Sequence, residues 1–276
     1  MEKMKLGVLV VLGGDMEAEI RKVHDLGFAT CQVCGWNDAF FTDEVADAIR
    51  TACAAYGVTI TAFWCGWGQN TPSVWDFYDG PLTLGLVPVA YRAVRLAFYK
   101  KGSDFAKKLG VTDFATHVGF IPEDPNTHEY HELVSTLRHL AQYLKRNDQN
   151  LLFETGQETP VAMLRCIQDI GLDNLYVNLD PANLILYGKA NPVDALRTLG
   201  KYVRGVHAKD GDYPTDGRNL GLEQPIGAGC VNFPALVEGL RKVGYAGALT
   251  IEREIEGDRQ IADIRSAKTL LESLIG

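Results

Sequence analysis

The chain has 276 residues, 46% of them hydrophobic and 22% charged, with a formal net charge of −8. That length closes one core of barrel size, roughly 250 residues, without a second domain, so residues 1–276 read as a single unit. The acidic balance, with no Lys/Arg-rich stripe to oppose it, repels phosphate backbones and disfavours a nucleic-acid partner.

The first apolar run, in MEKMKLGVLVVLGGD, is closed by Gly13-Gly14-Asp15, well short of the ~18 residues a membrane span needs. It reads as a buried strand, and no membrane partner is expected. Strand patterns then recur at 30–34, 59–64, 113–117, 151–154, 176–179, 203–207 and 248–252, making eight with 5–11. Helical periodicity fills the intervals at 43–56, 91–109, 130–145, 161–170, 192–199, 233–243 and 261–275. Four helices close on a glycine before the next strand, in AYGVTI, KLGVTDF, DIGLDNLYV and KVGYAGALTI, where a left-handed cap is wanted. Eight such units predict an α/β fold of the (β/α)8 TIM-barrel type. A doubly wound sheet needs no eighth strand, and no glycine-rich fingerprint follows the first one. Cys31 and Cys34 form a C-x-x-C inside TCQVCGW, but no second pair completes a zinc set and no helix start follows to activate a thiol. The six cysteines are therefore read as reduced thiols of a cytoplasmic protein.

In such a barrel the C-terminal ends of the strands form the reactive face. Glu154 ends NLLFE, Asp180 ends YVNLD, His207 ends VRGVH and Glu252 ends ALTIE. Their separations of 26, 27 and 45 residues suit consecutive strands five to eight, the last interval including a long loop. Three carboxylates and an imidazole converging there repel one another unless a cation joins them. With one, they make an octahedral O3N site open to substrate, suited to Mn2+, Mg2+ or Co2+ and less to tetrahedral Zn2+.

The motifs FETGQE, NLDPANL, VHAKDGD and TIERE resemble those of the xylose isomerase-like barrel superfamily, the AP endonuclease family 2 group that includes sugar isomerases and epimerases. The resemblance runs over nearly the whole chain. It implies one divalent ion, Mn2+ first, held by Glu154, Asp180, His207 and Glu252, and a small sugar or keto-sugar chelating through neighbouring oxygens. DNA-repair members carry further histidines for a trinuclear zinc cluster, one of them where this chain has Asn183. His117, in FATHVGF, resembles another, but FWCGWG at the third strand's end offers no partner. Ketose 3-epimerases also place a histidine at the Asn183 position, and an arginine where Tyr213 stands. HAKD is more similar to members acting on cyclic keto-polyols, such as inosose dehydratase.

The chemistry this resemblance implies is proton abstraction next to a carbonyl, with Glu154 and Glu252 as the acid–base pair. The expected activity is a metal-dependent sugar isomerase or epimerase. The alternative is a lyase or dehydratase acting on a keto-sugar or keto-inositol with the same metal and base. A DNA-repair endonuclease and a non-catalytic sugar-binding barrel rank behind both.

Candidate substrate contacts are His117, Asn183, Lys209, Gln157, Glu158 and, for stacking on a sugar face, Trp67 and Trp36. Lys209 suits a substrate oxygen or an ion pair with Asp210 or Asp212. Glu158 suits a substrate hydroxyl or the acidic first turn of a helix. The long aromatic segment AFWCGWGQNTPSVWDFYDGP suits a loop over the barrel mouth, while Trp75, Phe77 and Tyr78 would equally suit a homo-oligomer interface.

Overall fold

The computed structural model describes residues 3–276. Eight parallel strands close a barrel: β1 (Lys5–Val11), β2 (Thr30–Gly35), β3 (Thr59–Cys65), β4 (Asp113–Thr116), β5 (Asn150–Glu154), β6 (Leu175–Leu179), β7 (Val203–Ala208) and, after a small antiparallel β8 (Asp210–Gly211)–β9 (Glu223–Gln224) ladder, β10 (Ala248–Ile251). β10 pairs with both β7 and β1, which completes the ring. Each expected strand is present within one residue of its expected bounds. The two that end early do so because His117 and Glu252 leave the ladder to face the mouth, although the Glu252 amide still donates to the Ala208 carbonyl at 3.0 Å.

The apolar strands are buried on both faces, against the barrel interior and against the helices. Those helices are α1 (Met16–Asp25), α2 (Asp43–Tyr56), α3 (Gly80–Thr83), α4 (Val89–Lys108), α5 (His128–Arg146), α6 (Pro160–Ile170), α7 (Pro181–Leu186), α8 (Pro192–Leu199), α9 (Phe233–Lys242) and α10 (Asp258–Ile275). Gly57, Gly110, Gly171 and Gly244 all have positive φ at the helix ends where sequence placed a left-handed cap. Three helices, α1, α3 and α7, fall outside the expected helical intervals. α1 shows only Met16, Ile20 and Val23 as its buried stripe, and α7 is a short turn of helix buried on every side.

Cys31 and Cys34 fall on opposite faces of β2, one packed against the helical layer and the other in the barrel interior. The period-2 alternation of a strand forbids their pairing, and all six cysteines are free. The interior also carries a polar core, and Gly205 makes room for it: a Cβ there would sit 2.3 Å from the Asn178 Oδ1.

Two loops meet over the mouth. The Phe77 amide donates to the Arg218 carbonyl at 3.0 Å, and Asp76 bridges Asn219, tying the segment after β3 to the segment after β7. Asp210 organises the latter, its carboxylate accepting from the amides of Gly211, Gly227, Gly229 and Val231. Among the described residues no helix is long and apolar enough to cross a membrane.

Candidate active site

An acid followed by proline, as in Asp180-Pro181, is the entry to α7. Pro181 takes the first helical position, where its missing N–H costs nothing, and Asp180 is the N-cap, its Oδ1 accepting from the Asn183 amide at 2.9 Å. Thr155 fixes that corner: its hydroxyl exchanges hydrogen bonds of 2.8 Å with the Asp180 carbonyl and amide. The cap uses one carboxylate oxygen and leaves Oδ2 pointing into the mouth.

There it meets the ends of three other strands. The His207 Nδ1 lies 3.0 Å from Glu252 Oε2, 3.2 Å from Glu154 Oε1 and 3.7 Å from Asp180 Oδ2. Each of the four residues offers a ligand atom within 4.8 Å of the others'. Asp180 Oδ2, His207 Nδ1 and Glu252 Oε2 are buried with no hydrogen-bond partner. Buried polar atoms are rarely left so, and three of them facing one point could hold a small cation.

Charges are strongly coupled there. Burial opposes ionisation of His207, but the Glu154 and Glu252 carboxylates hold its imidazole well above the usual histidine range. Burial likewise raises Glu252 until Lys209 and His207 overcome it and hold the carboxyl low. For Asp180 burial wins and raises the carboxyl, although Lys209 opposes it.

Two residues that sequence did not single out orient this set. The His207 Nε2 faces the Gln32 Oε1 at 2.9 Å, and the Gln32 amide nitrogen donates to Asn178 Oδ1 at 3.4 Å. With its amide group so committed, Gln32 is an acceptor toward His207, which puts a proton on Nε2 and turns Nδ1 to the carboxylates. The Trp64 indole N–H donates to Glu154 Oε2, which leaves Oε1 to His207, to His117 Nε2 at 3.6 Å and to the Asn183 amide nitrogen at 3.5 Å. The signal for both was position alone: Gln32 is a polar residue inside an otherwise apolar strand, and Trp64 is near the C-terminal end of β3.

The cluster opens into a cavity of about 570 Å³. His117, Asn183, Lys209 and Trp36 line it, as do Trp64 and Trp75. Lys209 reaches Glu254 at 3.1 Å and Glu252 at 3.5 Å, so its ion pairs are not with Asp210 or Asp212.

Three expected contacts lie elsewhere. Trp67 is buried behind the wall, its indole donating to Ser73 Oγ at 2.7 Å and its ring under the Arg95 guanidinium; it supports Trp36 and Trp75 rather than facing the cavity. Gln157 and Glu158 are turned away by the Thr155 corner. Gln157 donates to the Tyr187 hydroxyl at 3.2 Å from behind, and burial raises the Glu158 carboxyl to about 8, so it is no charged helix-start residue.

Comparison with known proteins agrees with the barrel fold. The family description of a xylose isomerase-like TIM barrel matches residues 20–274. The chain is 36% identical to a xylose isomerase domain protein from Planctomyces limnophilus, whose crystal structure superposes with a TM-score of 0.92 over 99% of this chain and 97% of that one. A D-psicose 3-epimerase structure determined with D-fructose superposes at 0.73 over 99% and 100%, with 18% identity, a likeness of fold alone. An uncharacterized protein from Methanocaldococcus jannaschii is 30% identical over 118 residues, 42% of this chain; the match spans 37% of that relative's length.

Proposed function

The chain belongs to the xylose isomerase-like TIM barrel family, and on that premise we propose that it is a divalent-metal-dependent sugar isomerase or epimerase working by proton abstraction next to a carbonyl. The observation that carries this reading is the trio of unpartnered buried atoms on Asp180, His207 and Glu252 facing one point. Sugar epimerases and a probable dehydratase share the fold, and one such barrel was solved with magnesium.

The O3N donor set fits Mn2+ or Mg2+, held by Glu154, Asp180, His207 and Glu252. When bound, such an ion supplies Lewis-acid stabilisation of negative charge on the substrate's carbonyl oxygen. Glu154 takes the proton from the adjacent carbon, its second oxygen steadied by Trp64, and Glu252 returns one from the other side after receiving it from the Lys209 ammonium 3.5 Å away, which solvent reprotonates. Return on the opposite face gives epimerisation, and return at the neighbouring carbon gives isomerisation. Lys209 donates to a substrate oxygen beside Glu252. The same placement supports the second reading, a lyase or dehydratase, because an ammonium there favours departure of a hydroxyl. His117 and Asn183 bind substrate hydroxyls, and Trp36 meets its C–H face. The deciding experiment is solvent deuterium exchange with a panel of ketoses and keto-glycosides. Enolisation places deuterium beside the carbonyl, elimination yields a dehydrated product, and turnover with no exchange would replace proton transfer by a hydride shift.

Elemental analysis is expected to find about one divalent ion per chain, removable by chelator. Three zinc ions per chain would favour the nuclease reading instead. The raised His207 pKa gives the pH dependence its sign. Without a cation the imidazole carries a proton at neutral pH that the ion must displace. Affinity therefore rises with pH until the raised pKa is passed, and uptake near pH 7 releases about one proton. Calorimetry in two buffers of different ionisation enthalpy measures that release, and an equal heat in both would refute it.

Asn183→Ala removes an amide that touches Glu154 and leaves the backbone cap of Asp180 in place. Turnover is expected to fall by about tenfold or more with the ion retained. A variant purified without metal would show instead that Asn183 holds the ligand set together.

A further inference from the structure

We propose that the substrate of this site carries an apolar substituent, an alkyl or aryl group linked to the sugar, which lies across Val11 into a crevice between α1, β1 and α10. The inference rests on the sugar reading above and adds the substrate class. The cavity that begins at Glu154 and Glu252 does not end at the barrel mouth. It continues over the end of β1 into a space walled by Val8, Val10, Val23, Leu26, Ile255 and Ile264, with Glu19, Lys22, Glu256 and Gln260 also on its lining.

The rim between the two parts is low. Only residues 12–15 connect β1 to α1, and a Cβ at Gly13 or Gly14 would meet nothing within 4 Å. On that rim Val11 is 61% exposed while lining the cavity, and Trp75, on the aromatic side, is 41% exposed. Covering those two apolar side chains with an apolar group would be favourable, because it removes their surface from water.

Size gives the same answer. At the ~30 Å³ a water occupies in the liquid, 570 Å³ holds on the order of twenty waters, more than a single sugar ring displaces. The polar groups that recognise a polyol, His117, Asn183, Lys209 and the acid cluster, are all at one end. At the other end the inner wall is apolar, formed by buried Val8, Val10, Val23 and Ile264, and the polar side chains of Glu19 and Lys22 lie at its exposed edge. The two ends together fit one molecule with a sugar head and an apolar arm.

The test is a chain-length series. Methyl, butyl and hexyl β-D-glucopyranosides are titrated into the Mg2+-loaded protein, following tryptophan fluorescence, since all four tryptophans lie at or behind the cavity's aromatic wall. Affinity is expected to rise by up to about fourfold per added methylene, the equivalent of ~0.8 kcal/mol per buried CH2. Val11→Arg, which sets a charge on the rim, is expected to flatten that slope. A flat series in the wild type, a slope that Val11→Arg leaves intact, or hexanol binding as tightly as hexyl glucoside would each overturn the proposal. A flat series alongside deuterium exchange into an unsubstituted keto-sugar removes the apolar arm alone. A steep series with no exchange into any keto-sugar leaves the arm and removes the reaction.

Discussion

Glu154→Gln is expected to lower turnover by a factor on the order of 10²–10⁴, the size of a lost general base. The substitution keeps the side chain's shape, and its single amide oxygen can still accept from Trp64, so the cavity wall is preserved. It removes the basicity and one charge from a cluster whose other members are Asp180, His207 and Glu252. Loss of the ion would imitate loss of the base, so metal content is measured on the same sample and the assay is run at saturating Mn2+. With the ion present, deuterium incorporation beside the carbonyl should fall in parallel with turnover. A metal-loaded Glu154→Gln protein with near wild-type exchange would move the base to another residue.

Gln32→Leu is expected to weaken metal binding by about 10–100-fold, the range seen when the group orienting a metal-binding histidine is lost. Leucine matches the volume but accepts no hydrogen bond, so the buried His207 Nε2–H loses its partner and Nδ1 its defined direction. The same unpaired donor costs stability, about 1–3 kcal/mol, measurable as a lower denaturation midpoint of the metal-free protein. Competition against a chelator gives the affinity. Gln32→Glu, which keeps an acceptor at that place, should bind the ion better than Gln32→Leu. Equal affinity in the two variants would show that the tautomer of His207 is set elsewhere.

The barrel was legible in the chain because its signals are local. Alternating apolar runs and helical stripes with glycine at the helix ends need no distant partner to be recognised, and all eight strands lie within a residue of where periodicity put them. The four acid and imidazole residues were legible for a related reason: each ends a strand, and parallel strands in a barrel all end on the same face.

What the side chains around them do was decided by tertiary structure. Gln32 and His207 are 175 residues apart and meet only because the barrel closes and both point inward. Trp64 and Trp67 are equivalent as sequence, yet strand pleating turns Trp64 toward Glu154, while Trp67, two residues past the end of β3, packs behind the wall against Ser73 and Arg95. Gln157 and Glu158 follow Glu154 closely enough to suggest substrate contact, but past the corner that Thr155 makes with Asp180 neither lines the cavity. Residue type and spacing along the chain thus determined the fold, the reactive face and the donor set. Which neighbours orient those donors, and which aromatic residues face the cavity, depended on barrel closure and loop geometry, because hydrogen bonds and packing act across a few ångströms of space whatever the distance along the sequence.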